Sequence, residues 1–135
     1  MGFLEGLFPQ RAINGMCLAA SHGELEVVKE FVQSSVDING VHEDGGTALM
    51  LAAGAGHLEI VKYLVSQGAG INKIDGVLTA LDLAIMSLYQ WENEKISGGR
   101  FGKDKMLERL NSVMQYLTRR GAKKHPNIDV LKKQI

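Results

Sequence analysis

One offset dominates this sequence: residues 16–29 return, with few changes, 33 positions later. Leu18, Ala19, Ala20, Gly23, Leu25, Glu26, Val28 and Lys29 come back as Leu51, Ala52, Ala53, Gly56, Leu58, Glu59, Val61 and Lys62. The same offset carries Ile38 and Asn39 onto Ile71 and Asn72. A third start, Thr79-Ala80-Leu81 with Leu83-Ala84, echoes Thr47-Ala48-Leu49 with Leu51-Ala52. Its ending, Tyr116-Leu117 with Gly121-Ala122, echoes Tyr63-Leu64 with Gly68-Ala69. Self-similarity at such a period constrains the fold more than any composition does. Each unit is one supersecondary piece that buries its flank only against its neighbours, and about three units are the least that hold together.

Each unit reads physically as two helices and a loop. Thr47 and Thr79 stand where a helix begins, and a threonine hydroxyl there accepts an otherwise unpaired backbone N–H. The Leu51-Ala52-Ala53 stretch and its copies predict a short, narrow first helix. Gly23 and Gly56 supply the turn between helices, where a left-handed residue is cheapest as glycine. In the second helix Leu25, Val28, Phe31 and Val32 recur as Leu58, Val61, Leu64 and Val65, one apolar stripe at helical spacing. Gly68 and Gly121 end these helices. Asp37-Ile38-Asn39 and Gly70-Ile71-Asn72 then lead into the turn-rich pieces Glu43-Asp44-Gly45-Gly46 and Ile74-Asp75-Gly76. Leu18, Leu51 and Leu83 are expected to line one shared interior.

The residues that carry these roles resemble the ankyrin-repeat family. That family runs Gly-x-Thr-Pro-Leu-His-Leu-Ala-Ala, then Gly-His-x-Glu-Ile-Val-x-x-Leu-Leu, then Gly-Ala-x-Val-Asn. The second unit here carries Gly46-Thr47, Leu49 through Ala53, Gly56 through Val61, Gly68-Ala69 and Ile71-Asn72. The likeness covers about residues 11–122. The family's proline is Ala48 and Ala80 here, and its histidine is Cys17, Met50 and Asp82, so the family's Thr–His hydrogen bond is not expected. The resemblance implies an all-α fold, an ankyrin-repeat solenoid of stacked helix-turn-helix units with short hairpin loops. The expected division of the single domain 1–135 is an N-terminal cap 1–12 with Phe3, Leu4, Leu7 and Phe8, repeat one 13–45, repeat two 46–78, repeat three 79–122, and a C-terminal cap 123–135 with Ile128, Val130 and Leu131.

Repeat three departs from the period. From Thr47 to Gly68 is 21 residues, but from Thr79 to Gly121 is 42, an insertion at about 89–109. Leu88 replaces the turn glycine. Leu81, Ala84, Ile85, Leu88 and Trp91 form one helical stripe, and Met106, Leu107, Leu110, Val113, Met114 and Leu117 form another that begins near Asp104. Gly98-Gly99-Arg100-Phe101-Gly102 between them reads as a flexible connection. Trp91, with Ile96 and Met106, is expected to hold this hairpin together. Phe101 stands open between that role and an exposed anchor for a partner, since aromatic residues dominate binding hot spots.

Charge and chemistry narrow the function. The formal net charge is zero, but residues 1–94 hold four Lys/Arg against twelve Asp/Glu and residues 95–135 hold eleven against three. Such segregation suggests a partner with charges of its own or a molecule with an electrostatic front and back. Part of it reflects basic side chains gathered near a helix C-terminus, as at Arg119, Arg120, Lys123 and Lys124. The lone Cys17 excludes an intrachain disulfide and fits a reducing, intracellular and cytoplasmic setting. No run reaches the roughly 18 apolar residues of a membrane span. Met1-Gly2 opens like a myristoylation site, but Gly6 stands where Ser or Thr is wanted.

Gly98 through Lys103 imitates a phosphate loop and fails, because the spacing is short, Asp104 stands where Ser or Thr should and no strand precedes it. His22, His42, His57 and His125 show no metal-ligand spacing. His57 is expected in a structural place at the start of a second helix, and Cys17 as a small core residue. Asp82 and Glu92 are too far apart on one helix to act as a carboxylate pair. No catalytic residue, cofactor, metal or small-molecule substrate is expected. Arg119, Arg120, Lys123, Lys124, Lys132 and Lys133 lack interleaved aromatics and the remaining chain is acidic, so nucleic acid is not the expected partner; with the apolar end residues read as caps, neither is a membrane.

The resemblance implies an interaction module whose concave surface, made by hairpin tips and inner helices, binds another protein or peptide. Carried onto this sequence, that surface comprises Ser21, His22, Val41, Glu43, Asp44, Gly46, Gly54, Ala55, Ile74, Asp75, Met86 and Ser87. Arg100 and Phe101 join them from the third-repeat loop. Glu43, Asp44 and Asp75 favour a partner with a basic anchor. The alternative is a regulatory or inhibitory subunit that acts through the extended third-repeat hairpin.

Overall fold

The computed structural model describes residues 9–76, 78–93 and 100–133, and for Arg100 and Phe101 the backbone alone. Its helices are α1 (Pro9–Ser21), α2 (Leu25–Gln33), α3 (Ala48–Gly54), α4 (Leu58–Ser66), α5 (Ala80–Asn93), α6 (Arg100–Arg119) and α7 (Ile128–Lys132). Among the described residues there is no extended strand, only the isolated bridges Val41–Thr47 and Asp75–Leu78 that close the two hairpin loops. The expected N-terminal cap residues Phe3, Leu4, Leu7 and Phe8, together with Ile96, Gly98 and Gly99, lie outside the described residues.

The helices pair as the period requires: α1 with α2, α3 with α4, and α5 with α6. Thr47 starts α3 with its hydroxyl accepting the Met50 N–H at 3.3 Å. Gly23 and Gly56 turn the chain between paired helices at φ +79° and +77°. A Cβ on Gly23 would lie 2.8 Å from His57 Cε1. That ring is held by its Nε2 donating to the Ser21 carbonyl at 3.0 Å, so a histidine from repeat two seals the turn of repeat one.

Stacking then decides burial. Inner helices α1, α3 and α5 lie in one row, with α3 touching both others, and outer helices α2, α4 and α6 lie in a second. Leu49, Ile60, Val61 and Leu64 of the middle repeat are 0–2% exposed because they have a repeat on each side. Register repeats in the loops as well. Asn39 accepts the Gly70 N–H at 2.8 Å, and Asn72 accepts the Lys123 N–H at 2.8 Å, so each asparagine joins its own loop to the next. The outer row carries a rung that repeat spacing alone does not show. Lys29 sits 5.7 Å from the Tyr63 ring centroid, and Lys62 and Arg120 sit 6.0 and 5.3 Å from that of Tyr116. Such exposed cation–aromatic contacts contribute about 0.5–1 kcal/mol each.

One expectation needs correction. Leu18, Leu51 and Leu83 occupy matching places but do not share a common interior: Leu51 and Leu83 are half-buried against the core, whereas Leu18 is 48% exposed. Leu83 Cβ would stand 3.7 Å from a Cβ on Gly54, so this position leans toward the preceding repeat. Leu18 leans the same way, and no described helix precedes α1.

Repeat three is longer than its neighbours: α5 has 14 residues and α6 has 20, where α3 and α4 have 7 and 9. α6 begins at Arg100, ahead of the expected start near Asp104, so Arg100, Phe101 and Gly102 belong to a helix and not to a connecting loop. Without proline in this stretch nothing stops the helix from extending backward, and Lys103 Nζ donates to the Glu92 carbonyl at 2.9 Å across the pair. The added turns lie on the side of the interhelical turns. Met106 Sδ and Arg109 Cβ come within 3.3 Å of where a Gly56 Cβ would be.

Asp82, in place of the family's histidine, is fully buried. Its Oδ2 accepts the Thr79 N–H at 3.0 Å, with the Thr79 hydroxyl 3.1 Å away, and its Oδ1 accepts the His125 N–H at 2.7 Å. The Asp82 N–H in turn points at Thr79 Oγ1 at 3.3 Å, which makes a capping box from a Thr and an Asp. The missing Thr–His pair is thus replaced by one that also anchors the C-terminal segment. α7 follows and seats Ile128, 4% exposed, against α5.

Candidate functional site

The two hairpins stand side by side because one holds the other. The Asp75 carboxylate accepts the Gly46 N–H, which fixes the second loop against the first. Within the first loop His42 N–H bonds the Gly46 carbonyl at 2.9 Å, and His42 Nδ1 accepts the Asp44 N–H at 2.9 Å. Asn14 of α1 accepts the Glu43 N–H at 3.1 Å, and Gln10 donates to the Val41 carbonyl at 2.9 Å. The backbone of this tip is therefore pinned from three sides, while the Glu43 and Asp44 side chains stay in water, that of Asp44 90% exposed.

The expected site residues separate into groups. Val41, Glu43, Asp44, Ile74 and Asp75 gather at the hairpin tips, with Ile74 60% exposed. Gly46 is buried, and Leu51 Cδ2 lies 3.4 Å from where its Cβ would be, so it offers no side-chain surface. Asp75 is half-buried and already bonded to Gly46, which leaves Glu43 and Asp44 as the open acids of the tips. Along the inner helices Gly54 meets Ser87, whose Oγ would stand 3.6 Å from its Cβ. Ala55 and Met86 are half-buried nearby, and Met86 packs on the core. Ser21 is half-buried and lends its carbonyl to His57, whereas His22 is exposed.

Arg100 and Phe101 do not join this surface. They sit in the first turn of α6, at the end of the helices opposite the hairpin tips, and their side chains lie outside the described residues. The expected choice for Phe101 between hairpin and partner therefore falls outside them too. Trp91 is half-buried on α5. Repeat spacing does not reveal Leu18, which is 48% exposed in the first repeat although the matching Leu51 and Leu83 pack against the core. Periodicity marked it as core, and only its place in the first repeat gave the opposite signal.

Burial raises the Cys17 thiol to about 11, partly offset by a backbone hydrogen bond at His42, so it stays protonated at neutral pH. Its sulfur lies 4.0 and 3.9 Å from the Gly40 and Gly46 carbonyls. Among the described residues no group of three or more His, Cys, Asp or Glu side chains is placed to hold a metal ion. No described helix is long and apolar enough to cross a membrane.

Comparison with known proteins agrees with this geometry. A family model described as ankyrin repeats in three copies matches residues 16–95, more than half of the chain. The match ends two residues past α5, where repeat three outgrows the period. No curated protein matches the chain at a significant level. Repeats of this kind generally serve protein–protein interaction. With three stacked helix pairs, glycine turns and linked hairpins on one side, the chain belongs to the ankyrin-repeat family.

Proposed function

We propose that this chain is a non-enzymatic docking module that holds a partner protein or peptide across the concave face formed by the hairpin tips and the inner helices. The observation that carries the reading is the first hairpin tip, whose backbone is fixed by Asp75, Asn14 and Gln10 while the Glu43 and Asp44 side chains stand exposed. A preorganised loop loses little entropy on binding. Ile74, exposed on the adjacent tip, adds an apolar contact. The fitting partner presents a Lys or Arg beside an apolar side chain, and the face between Gly54 and Ser87 is smooth enough for a protruding element. The buried, protonated Cys17 suits a reducing intracellular compartment such as the cytoplasm.

The test is the double substitution Glu43→Lys and Asp44→Lys. Both side chains are exposed, so the fold is expected to be unchanged by circular dichroism. Affinity for a basic partner, captured from the source cells and then measured by titration with the purified protein, is expected to fall about tenfold or more. Unchanged affinity rejects this surface.

The length of α5 and α6 supports a second reading, a regulatory or inhibitory subunit that engages its target through the third-repeat hairpin. Removing residues 95–104 separates the two. Binding lost on that removal and kept in the Glu43/Asp44 variant assigns the role to the hairpin.

A further inference from the structure

The two ends of the stack are unlike the middle, and they differ in a complementary way. Val27, Ile60 and Val113 hold one register position on the three outer helices, and burial in the later repeats against exposure in the first points that position toward the preceding repeat. Ile60 and Val113 are 2% and 0% exposed, but Val27 is 37% exposed. Leu18 shows the same contrast on the inner row, so among the described residues the head of the stack presents two exposed aliphatic side chains. Glu24 and Glu30, three residues to either side of Val27 on the same helical face, are both exposed.

The tail shows the reverse. Val28, Val61 and Met114 share the position that faces the following repeat; the two valines are fully buried, and Met114 is half-exposed. α7 covers α5 but leaves α6 open. Between them runs a groove of about 350 Å³ floored by Leu81, Ile85, Met114 and Ile128. Lys124 and Lys132 stand on its rim, with Asp129 occupied by Lys132 at 3.0 Å. That ion pair holds the Asp129 carboxyl below its usual range. Val130, on the far side of α7 from Ile128, is 58% exposed.

We infer that the tail groove receives the head of a second copy of this chain, with Val27 set over Met114 and Leu18 over Val130. Each end is half of a repeat–repeat interface whose other half the opposite end supplies. The charges agree, since Glu24 and Glu30 meet Lys124 beside the Lys132–Asp129 pair, and the chain is acidic over residues 1–94 and basic over 95–135. Such a contact is heterologous and head-to-tail, so it does not close at a dimer. It leaves the hairpin tips free, so it does not depend on the concave-face reading.

Sedimentation velocity of the full chain across a concentration series, at low and high salt, tests this. Two variants on exposed positions accompany it: Val27→Arg at the head, and Lys124→Glu with Val130→Glu at the tail. The wild type is expected to grow in mass with concentration without a dimer plateau, and to associate about tenfold more weakly at high salt. Each variant alone is expected to stay monomeric with an unchanged melting curve, since like charges then face each other. Mixing the two restores association, because each supplies the complement of the other. A wild type that stays monomeric to about 1 mM overturns the inference. So does a variant that still associates alone, which would mark a symmetric contact, or a mixture that fails to pair.

Discussion

Ser35 holds a backbone conformation that the other two repeats give to glycine. Its φ is +65°, and the matching Gly68 and Gly121 lie at +92° and +88°. A residue with a Cβ is strained there by about 1–2 kcal/mol, part of which glycine gives back through the greater freedom of its unfolded chain. Ser35→Gly is therefore expected to raise stability by about 0.5–1 kcal/mol, read as a higher urea midpoint at unchanged slope. A lower midpoint would mean that the serine makes compensating contacts. At Cys17 the folded state favours the protonated thiol, raised to about 11 from 9.0. Its contribution is complete below pH 9 and is lost as pH rises toward 11. Wild type is thus expected to lose more stability over that interval than Cys17→Ala does. Iodoacetamide at pH 8 is expected to label Cys17 only after denaturant is added, and rapid native labelling would contradict its burial.

At the scale of the element, Asp82 joins two parts that the sequence keeps 43 residues apart. Asp82→Ala removes the acceptor of both the Thr79 and the His125 N–H groups in a fully buried site. Donors left unpaired there cost about 1–3 kcal/mol. A loss of that size is expected in urea unfolding, with a smaller one for Asp82→Asn, which keeps one acceptor oxygen. Equal stability of Asp82→Ala and wild type would reject the anchor. The helices themselves were legible because Leu18-Ala19-Ala20 and Leu51-Ala52-Ala53 repeat with their turn glycines, and local pattern sets local structure. The Asp82 anchor was not, since the sequence shows only a departure from the family's histidine and cannot say which distant N–H the carboxylate meets. Likewise Gly46 read as open surface because a glycine in a turn gives no hint that Asp75 of the next hairpin closes over it. The start of α6 was misplaced for a related reason: Gly102 argues for a loop, but Lys103 bonded to the Glu92 carbonyl holds the helix there.

For the whole molecule, stability follows position in the stack. In a one-dimensional array each repeat is held by its own contacts and those with its neighbours, so the middle is protected twice and the ends once. α3 touches α1, α4, α5 and α6, whereas α7 meets the rest chiefly through α5. α7 has five residues and one buried side chain, Ile128, with the His125–Asp82 bond as its main polar tie. A helix of that length has no stability of its own. Native-state hydrogen exchange is therefore expected to separate them. Amides of Ala52, Ala53 and Gly54 exchange only through global unfolding, with strong dependence on added urea, and those of Val130 and Leu131 exchange about 100-fold faster or more, with little dependence. If α7 instead exchanged with the same free energy and urea slope as α3, the C-terminal segment would be an integral part of the stack and the tail groove a closed surface.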